Sequence, residues 1–214
     1  ISSHDMQEPL RIITTYLKLV QEKYSDKLDT EANNFIVRAI ENSIRMRKLI
    51  TDFLNFSRIG KTKPKRNPVD LNKIIVKILK NFEPLISESK AEIDIGNLPV
   101  LNVDENQFEI LLSNLFDNAI KFTSLYGKVT VHVQADPEKA VVTVEDTGMG
   151  IDPKVLEKIG TRFYRADQAR AHEGAGLGLS IVKAICDSHR ANVKINSVLG
   201  QGTRIVIELP LAWK

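Results

Sequence analysis

The residues of this chain whose types and spacing suit chemistry include two glycine-rich segments, Asp146 to Ile151 and Gly174 to Leu179. Glycine lets backbone N–H groups approach a phosphate, and a helix beginning near Leu177 would add the partly positive end of its dipole. The second segment has the spacing G-x-G-x-G, and no GK[ST] sequence is present. The chain therefore carries neither a dinucleotide-binding fingerprint nor a Walker loop, and each glycine cluster alone also fits a simple turn.

A polar helix flank forms a second group. The sequence from Glu105 to Phe122 has one apolar face at helical spacing, and Asn114, Asn118 and Lys121 fall together beside it at i, i+4 and i+7. Amide oxygens and an ammonium in this arrangement could hold a hydrated Mg²⁺ ion and a phosphate. The same flank could equally be a solvated helix surface, and the glycine loops favour the first interpretation.

The third group is a histidine next to an acid, His4 and Asp5. On a helical wheel His4 lies about 160° from the centre of the apolar stripe that follows it, which predicts a solvent-exposed imidazole. A neutral imidazole has a nitrogen lone pair that can attack phosphorus. Most lone surface histidines have no such role, so this interpretation depends on the nucleotide motifs elsewhere in the chain.

The elements that position these groups fall into two halves. In the first half, apolar residues spaced by four and three make a helical seam, and a second apolar stripe follows a polar stretch in which Asp29 or Thr30 is the expected N-cap. The seam residues are Met6, Leu10, Ile13, Leu17 and Val20, and the second stripe comprises Ile36, Ile40, Met46, Ile50, Phe53 and Leu54. We expect a helical hairpin that dimerises into a four-helix bundle, because two helices alone cannot bury two wide apolar faces.

The second half alternates helices and strands. The periodicity predicts helices over Leu71–Ser87, Glu105–Phe122 and Leu177–His189, and strands over Lys128–Gln134, Ala140–Glu145, Val193–Ser197 and Arg204–Leu209. Turn sequences near Pro137 and Gly200 connect the strands in antiparallel pairs. We therefore expect an α+β (α/β sandwich) fold rather than a doubly wound sheet.

Composition limits the alternatives. The chain has 214 residues, of which 43% are hydrophobic, with a net charge of +3 and one cysteine. That charge is too small to favour nucleic-acid binding, and a single cysteine excludes an internal disulfide framework. The charge is uneven: residues 1–66 carry net +5 and the remainder net −2. The basic run from Arg58 to Arg66 predicts a linker at a domain boundary, and Cys186 is expected to be an inert buried thiol.

Four segments in order resemble the N, G1, F and G2 boxes of sensor histidine kinases: Asn114–Thr123, Asp146–Gly150, Arg162–Arg165 and Gly174–Leu179. The segment Ser3–Leu10 looks like the H box of that family, and Gly202-Thr203 matches its closing strand. The resemblance covers essentially the whole chain. It implies a dimerisation hairpin over residues 1–62, a GHKL-type ATP-binding domain over residues 63–214, and an autokinase that transfers the γ-phosphate of ATP to His4.

The resemblance also implies roles for single residues. Asn118 would ligate Mg²⁺ with support from Asn114, while Lys121 would contact phosphates and Asp146 would accept a hydrogen bond from adenine. Asp5 would orient the His4 imidazole or accept its proton. The remaining ATP-binding positions lie in the glycine loops, in a lid from Gly160 to Ala175, and in the last strand: Gly148, Gly150, Arg162, Tyr164, Arg165, Gly174, Gly176, Leu177, Gly178 and Thr203.

The chain departs from the family pattern in two segments, and two other functions compete. Glu8 stands where the family often has the Thr or Asn linked to dephosphorylation of the partner, so we do not expect phosphatase activity. Gly160-Thr161 replaces a common Phe-Glu before Arg162.

A related ATPase of the gyrase, Hsp90 and MutL superfamily would have a glutamate base where this chain has Asn114. A dimeric adaptor that binds ATP without kinase activity is the second alternative.

The expected partners follow from the resemblance. They are a second copy of the chain, and a response-regulator receiver domain whose aspartate takes the phosphoryl group from His4. The start at Ile1, in helix-like sequence, predicts a fragment whose sensor module precedes it. We expect this fragment to be cytoplasmic, whether or not the full-length protein is membrane-anchored.

Overall fold

The computed structural model describes residues 3–59, 63–160, 164 and 176–211. These residues divide into two compact units, one ending at Ser57 and the other beginning at Arg58. Among the described residues, no helix combines the length and apolar character needed to span a membrane.

The first unit is a helical hairpin. Helix α1 covers Ser3–Tyr24, a 3-10 turn covers Ser25–Lys27, and α2 covers Thr30–Arg58. Asp29 is the N-cap of α2, because its Oδ1 accepts a hydrogen bond of 2.7 Å from the Ala32 N–H. Asn33 secures the connection by donating through Nδ2 to the carbonyls of Ser25 and Leu28. The predicted hairpin is confirmed, and Asp29 rather than Thr30 caps its second helix.

Most of the hairpin's large apolar side chains are exposed within one chain. Ile40, with 8% of its surface accessible, is the buried apolar side chain among the described residues of the hairpin. Of the predicted seam, Met6, Ile13 and Val20 are exposed, at 39%, 47% and 37%. The seam therefore lies on an open surface of the single chain.

The second unit pairs a layer of helices with a mixed five-stranded sheet. Its strands are β1 Asn67–Asp70, β2 Glu92–Ile95, β3 Val100–Val103, β4 Lys128–Ala135, β5 Lys139–Asp146, β6 Asn192–Val198 and β7 Gly202–Pro210. The sheet has the order β2-β4-β5-β7-β6, while β1 and β3 form a separate antiparallel pair. The predicted α/β sandwich is confirmed, and so is the antiparallel arrangement of the last four strands, which pair as β4–β5, β5–β7 and β6–β7.

The helices of this unit are α3 Leu71–Ser89, α4 Glu105–Phe122, α5 Pro153–Leu156 and α6 Gly178–Ser188. Helix α4 contacts α3, α6 and strand β5, so its apolar face lies at the centre of the core. Phe108, Leu111, Leu115 and Phe116 on that face are each at most 1% exposed. The core thereby fixes α4 against the sheet and leaves its polar flank for other contacts.

Three strands and one short helix are absent from the sequence-based expectation. Strands β1, β2 and β3 have four residues each, which is too short to show a clear alternation. Strand β2 pairs in parallel with β4 and extends the sheet beyond the four antiparallel strands. Helix α5 is a single turn that begins at Pro153 after its N-cap, Asp152.

Candidate nucleotide-binding site

Strand β5 positions the first candidate residue. Its inward-facing row consists of Ala140, Val142, Val144 and Asp146, all buried, so the row that fills the core ends in a carboxylate. Asp146 Oδ1 accepts hydrogen bonds from the N–H groups of Gly148, at 2.9 Å, and of Thr203, at 3.3 Å. No described residue bonds to Oδ2. One carboxylate oxygen is thus held by the fold, and the other is available to a ligand donor.

The environment of Asp146 also changes its protonation. Burial raises the pKa of this carboxyl above its ordinary value, and the two N–H bonds act in the opposite direction without cancelling that effect. The nearby charge of Glu145 raises it further. The ionised form is therefore kept at an energetic cost that a hydrogen-bond donor from a ligand would reduce.

The loop after Asp146 packs tightly on its neighbours. A Cβ at Gly148 would overlap the Phe122 carbonyl, which accepts a hydrogen bond of 3.0 Å from the Met149 N–H. Gly202, with φ +113°, lies equally close to the Asp146 carbonyl. Both glycines are required by close backbone approach, and they hold the Asp146 loop at the end of α4.

The asparagines of α4 lie next to the start of α6. A Cβ at Gly178 would be 3.0 Å from Asn114 Oδ1 and 3.7 Å from Asn118 Nδ2. The N-cap of α6 is Leu177, whose apolar side chain cannot accept hydrogen bonds from the first-turn N–H groups. Leu177 is 2% exposed and anchors this turn in the core. Two amide side chains and a helix N-terminus without a side-chain cap therefore meet at Gly178.

Lys121 lies on the same flank in an ion pair. Its Nζ is 2.7 Å from Asp117 Oδ2, and the two side chains are 16% and 14% exposed. The acid stands four residues before the lysine, a favourable orientation on a helix. Contact of Lys121 with a phosphate therefore stays a prediction, and it requires that this pair open or that the phosphate share the ammonium.

The other predicted positions are distributed as follows. Gly176 has a left-handed backbone with φ +70°, and Tyr164 is half-buried. His4 and Asp5 lie in α1, whose backbone is described there without their side chains. Arg162, Arg165 and Gly174 lie outside the described residues.

Two family models match this sequence. "His Kinase A (phospho-acceptor) domain" matches residues 2–62, and "Histidine kinase-, DNA gyrase B-, and HSP90-like ATPase" matches residues 103–212. The chain belongs to the sensor histidine kinase family. The resemblance in the sequence boxes is thereby confirmed. The GHKL-type fold of the second unit indicates that its nucleotide is ATP.

Known histidine kinases and related sensors are similar over nearly the whole chain. Phytochrome-like protein Cph1 of Synechocystis sp. is 32% identical over 99% of this chain and 28% of its own length. Phosphate regulon sensor protein PhoR of Pseudomonas aeruginosa is 33% identical over 94% of this chain and 46% of its own. The crystal structure of full-length ShkA in complex with AMPPNP has a TM-score of 0.77 and 28% identity, covering 99% of this chain and 45% of that one. The chain thus spans less than half the length of these relatives.

Two residues of this site are not among those predicted from the sequence. Ser197 Oγ accepts from the Ile151 N–H at 2.9 Å and bonds the Gly202 carbonyl and Thr203 Oγ1, so it fixes the Asp146 loop to the last strand. Its signal was a serine within an otherwise alternating strand. Asp117 was detectable from its i, i+4 spacing to Lys121.

Proposed function

We propose that this chain is the transmitter core of an ATP-dependent histidine autokinase in a two-component system. The observation that carries the proposal is that two clusters lie along the C-terminal half of α4. The Asp146 loop is bonded to the Phe122 carbonyl, and Asn114 and Asn118 lie beside Gly178. The Asp146 carboxylate, which could bind the base, and the N-terminus of α6, which could bind phosphate, thus both lie against α4.

The nucleotide roles follow from these contacts. Asp146 accepts a hydrogen bond from the adenine amino group through Oδ2, while Gly148 and Gly150 keep the loop close to the base. The first turn of α6, from Leu177 and Gly178, donates N–H groups to the phosphates. Arg162, Tyr164, Arg165, Gly174, Gly176 and Thr203 complete the ATP-binding set, and Lys121 supplies positive charge when its pair with Asp117 opens.

The donor set fits Mg²⁺ that is brought by the nucleotide. Among the described residues no group of three His, Cys, Asp or Glu side chains could hold a metal ion. Mg²⁺ in phosphoryl-transfer sites keeps several waters and takes few protein ligands. Asn118 would ligate it, with Asn114 in support. When bound, the ion neutralises developing charge on the phosphates.

The reaction forms one bond and breaks one. A nitrogen of the His4 imidazole attacks the γ-phosphorus, an N–P bond forms, and the bond to the bridging oxygen of ADP breaks. Asp5 orients the imidazole or takes its proton. The phosphoryl group then passes to an aspartate of a response-regulator receiver domain.

The proposal includes the surroundings of the core. We assign residues 1–62 to a dimerisation and phosphotransfer hairpin and residues 63–214 to the ATP-binding domain. The exposed seam supports a homodimer through four helices. We place this core in the cytoplasm, where ATP and the receiver domain are present.

The competing ATPase is disfavoured by the residue type at one position. Asn114 occupies the position where that superfamily places its glutamate base, and its Nδ2 donates to the Ile110 carbonyl at 2.7 Å. A carboxamide is not basic at neutral pH and cannot take a proton from water. The site is therefore better suited to transfer to a side chain than to hydrolysis.

Autophosphorylation separates the three functions. With γ-labelled ATP and Mg²⁺ we expect label on the protein that is acid-labile and base-stable, lost in His4→Gln and retained in the matched control His132→Gln, whose histidine is exposed on β4. Steady phosphate release without labelled protein would favour the ATPase. ATP binding with neither signal would favour the adaptor.

A further inference from the structure

A second polar cluster lies at the other end of the α4–α6 pair. His189 follows the last turn of α6 and is 1% exposed. Its Nδ1 is 3.0 Å from the Ile185 carbonyl, and its Nε2 accepts a hydrogen bond of 3.4 Å from the N–H of Asp104, the N-cap of α4. The Phe108 ring of α4 packs edge-on against the imidazole, with ring centroids 6.0 Å apart.

These contacts select one form of the imidazole. A carbonyl oxygen only accepts, so Nδ1 must carry the proton, and an amide N–H only donates, so Nε2 must have its lone pair free. The neutral Nδ1–H tautomer satisfies both backbone neighbours, and Ser188 Oγ, 3.1 Å from Nδ1, can accept from the same N–H. In that form the ring connects the end of α6 to the beginning of α4.

Neighbouring residues extend the same connection. Ser188 Oγ donates to Gln107 Oε1 on α4 at 2.8 Å. Arg66 Nη2 donates to the His189 carbonyl at 3.4 Å, and the Lys65 N–H donates to Asp104 Oδ2 at 2.8 Å. The segment before β1 is thereby bonded to both helices.

The position of this cluster relates it to the nucleotide site. Asn114 lies seven residues after Gln107 and Gly178 lies ten before Ser188, which are separations of about 10 Å and about 15 Å along the two helices. The helices are antiparallel, with His189 at one end of their contact and Gly178 beside Asn114 at the other. Two fixed points determine both the spacing and the register of such a pair.

We infer that His189 is a positioning residue for the nucleotide site, because it clamps α6 to α4 and so holds Gly178 beside Asn114. The inference rests on the proposed ATP-binding function of that site. The clamp consists of His189, Ser188, Asp104 and Gln107. Loss of the bond between His189 Nε2 and the Asp104 N–H lets α6 shift along α4 and weakens ATP binding more than the transfer step.

The clamp also links the domain to pH. Burial lowers the pKa of His189 below its ordinary value of 6.5, and the charge of Arg66 lowers it further, while the Ile185 bond and Asp104 raise it. The pKa of Arg66 is itself lowered by burial and by the charge of Arg190. Protonation removes the lone pair that Asp104 N–H requires. Because the unfolded chain takes up the proton first, stability falls as the pH drops below 6.5, toward the pKa of the folded state.

The test compares two amides of different reach with a packing control. His189→Gln places an amide oxygen near the position of Nε2 and keeps the bond to Asp104, whereas His189→Asn keeps only the donor toward Ile185. Val182→Ala removes methyl groups from a buried position of the same helix and leaves all four clamp residues in place. For each variant we would measure the autophosphorylation rate against ATP concentration and the melting temperature from pH 5 to 8.

We expect His189→Asn to raise the KM for ATP about five- to tenfold with a smaller change in kcat, the effect of one lost hydrogen bond. His189→Gln should restore a KM near that of wild type, and Val182→Ala should lower the melting temperature without changing KM. Both His189 variants should lose the decline in melting temperature below pH 6.5. A wild-type KM in His189→Asn, or a raised KM in Val182→Ala, would overturn the inference.

Nitrogen NMR of the wild-type imidazole gives a readout that does not depend on activity. The clamp requires the neutral Nδ1–H tautomer of His189 at pH 7, and an Nε2–H or charged ring would refute it. If the wild type showed neither ATP binding nor labelled protein, the proposed function would fail, while the tautomer and the pH dependence of melting would still test the clamp.

Discussion

The two units of this chain bury their apolar side chains to very different extents. In the hairpin the described residues bury Ile40, while large side chains such as Tyr16 and Phe35 remain 66% and 60% exposed. In the second unit, which we call the nucleotide unit, α4 and β5 supply a continuous core whose side chains are almost fully buried. Burial of apolar area is the main favourable contribution to folding. The nucleotide unit therefore has its own buried core, whereas the seam of the hairpin is exposed within one chain, and we propose that a second copy covers it.

The largest effect is expected in the core of the nucleotide unit. Phe116 is 1% exposed and packs edge-on against Phe82, with ring centroids 5.6 Å apart. Phe116→Ala should lower the free energy of unfolding by about 3–5 kcal/mol, because a large cavity replaces the ring. Denaturant titration should give the same loss at every protein concentration. A loss below about 1 kcal/mol, or one that varies with concentration, would contradict a self-contained core.

The hairpin should respond through association instead. Ile13→Glu places a charge on the exposed seam and should weaken dimerisation by at least the burial energy of the isoleucine, about 1.5–3 kcal/mol per protomer. Sedimentation equilibrium measures the dimer constant. Thr15→Glu adds the same charge at an exposed position outside the seam and should leave the constant unchanged. A wild-type chain that is monomeric at micromolar concentration would refute dimerisation through the seam.

Within the nucleotide unit, function and stability should separate at Asp146. Asp146→Asn should weaken ATP binding about 10- to 100-fold, because the Gly148 and Thr203 N–H groups would hold the amide oxygen and leave the NH2 donor facing the adenine amino group, which is also a donor. Since burial raises the pKa of Asp146, the ionised carboxyl costs stability at neutral pH. The variant should therefore melt at an equal or higher temperature at pH 7, and this advantage should shrink as the pH falls toward the ordinary value of 3.8.

Calorimetric titration with ATP and thermal melting check this prediction together. Glu145→Gln is the matched control, because Glu145 precedes Asp146 on β5 but is exposed. The control should retain ATP affinity. Equal ATP affinity in Asp146→Asn, or a large fall in its melting temperature at pH 7, would show that the carboxylate has a structural role instead.

The smallest expected effect is the reactivity of the single cysteine. Cys186 is 1% exposed, and burial raises the pKa of its thiol to about 12. The native protein should react with a thiol reagent at pH 8 only through rare opening of the nucleotide unit. Phe116→Ala should speed the reaction and Ile13→Glu should not. Rapid labelling of the wild type would show that this core is more open than its burial indicates.

The sequence predicted the elements whose periodicity runs over several turns or strands. The expected bounds of α4 agree with the structure, because its apolar face is complete and Asp104 caps its start. Strand β2, with only four residues, shows no clear pattern and pairs through its backbone with β4. Its presence depends on tertiary pairing, which local pattern cannot reveal.

The candidate site divides in the same way. Spacing placed Asn114 and Asn118 on one flank, and the fold brings them beside Gly178. The pairing of Lys121 with Asp117 and the bonds of His189 depend on side-chain rotamers and on contacts distant in sequence. A lone histidine near a helix end gives no sign in the sequence that both of its nitrogens are used in the core.

The position of the phosphoryl group on the chain distinguishes a histidine autokinase from an ATPase. The whole chain would be incubated with Mg²⁺ and ATP at neutral pH, and the modified residue would be mapped by mass spectrometry under conditions that preserve phosphoramidates. We predict one phosphoryl group on a His4 imidazole nitrogen in the wild type, and none in Asn118→Ala. A phosphoryl group on another residue, or free phosphate that accumulates while His4 stays unmodified, would contradict phosphoryl transfer to His4.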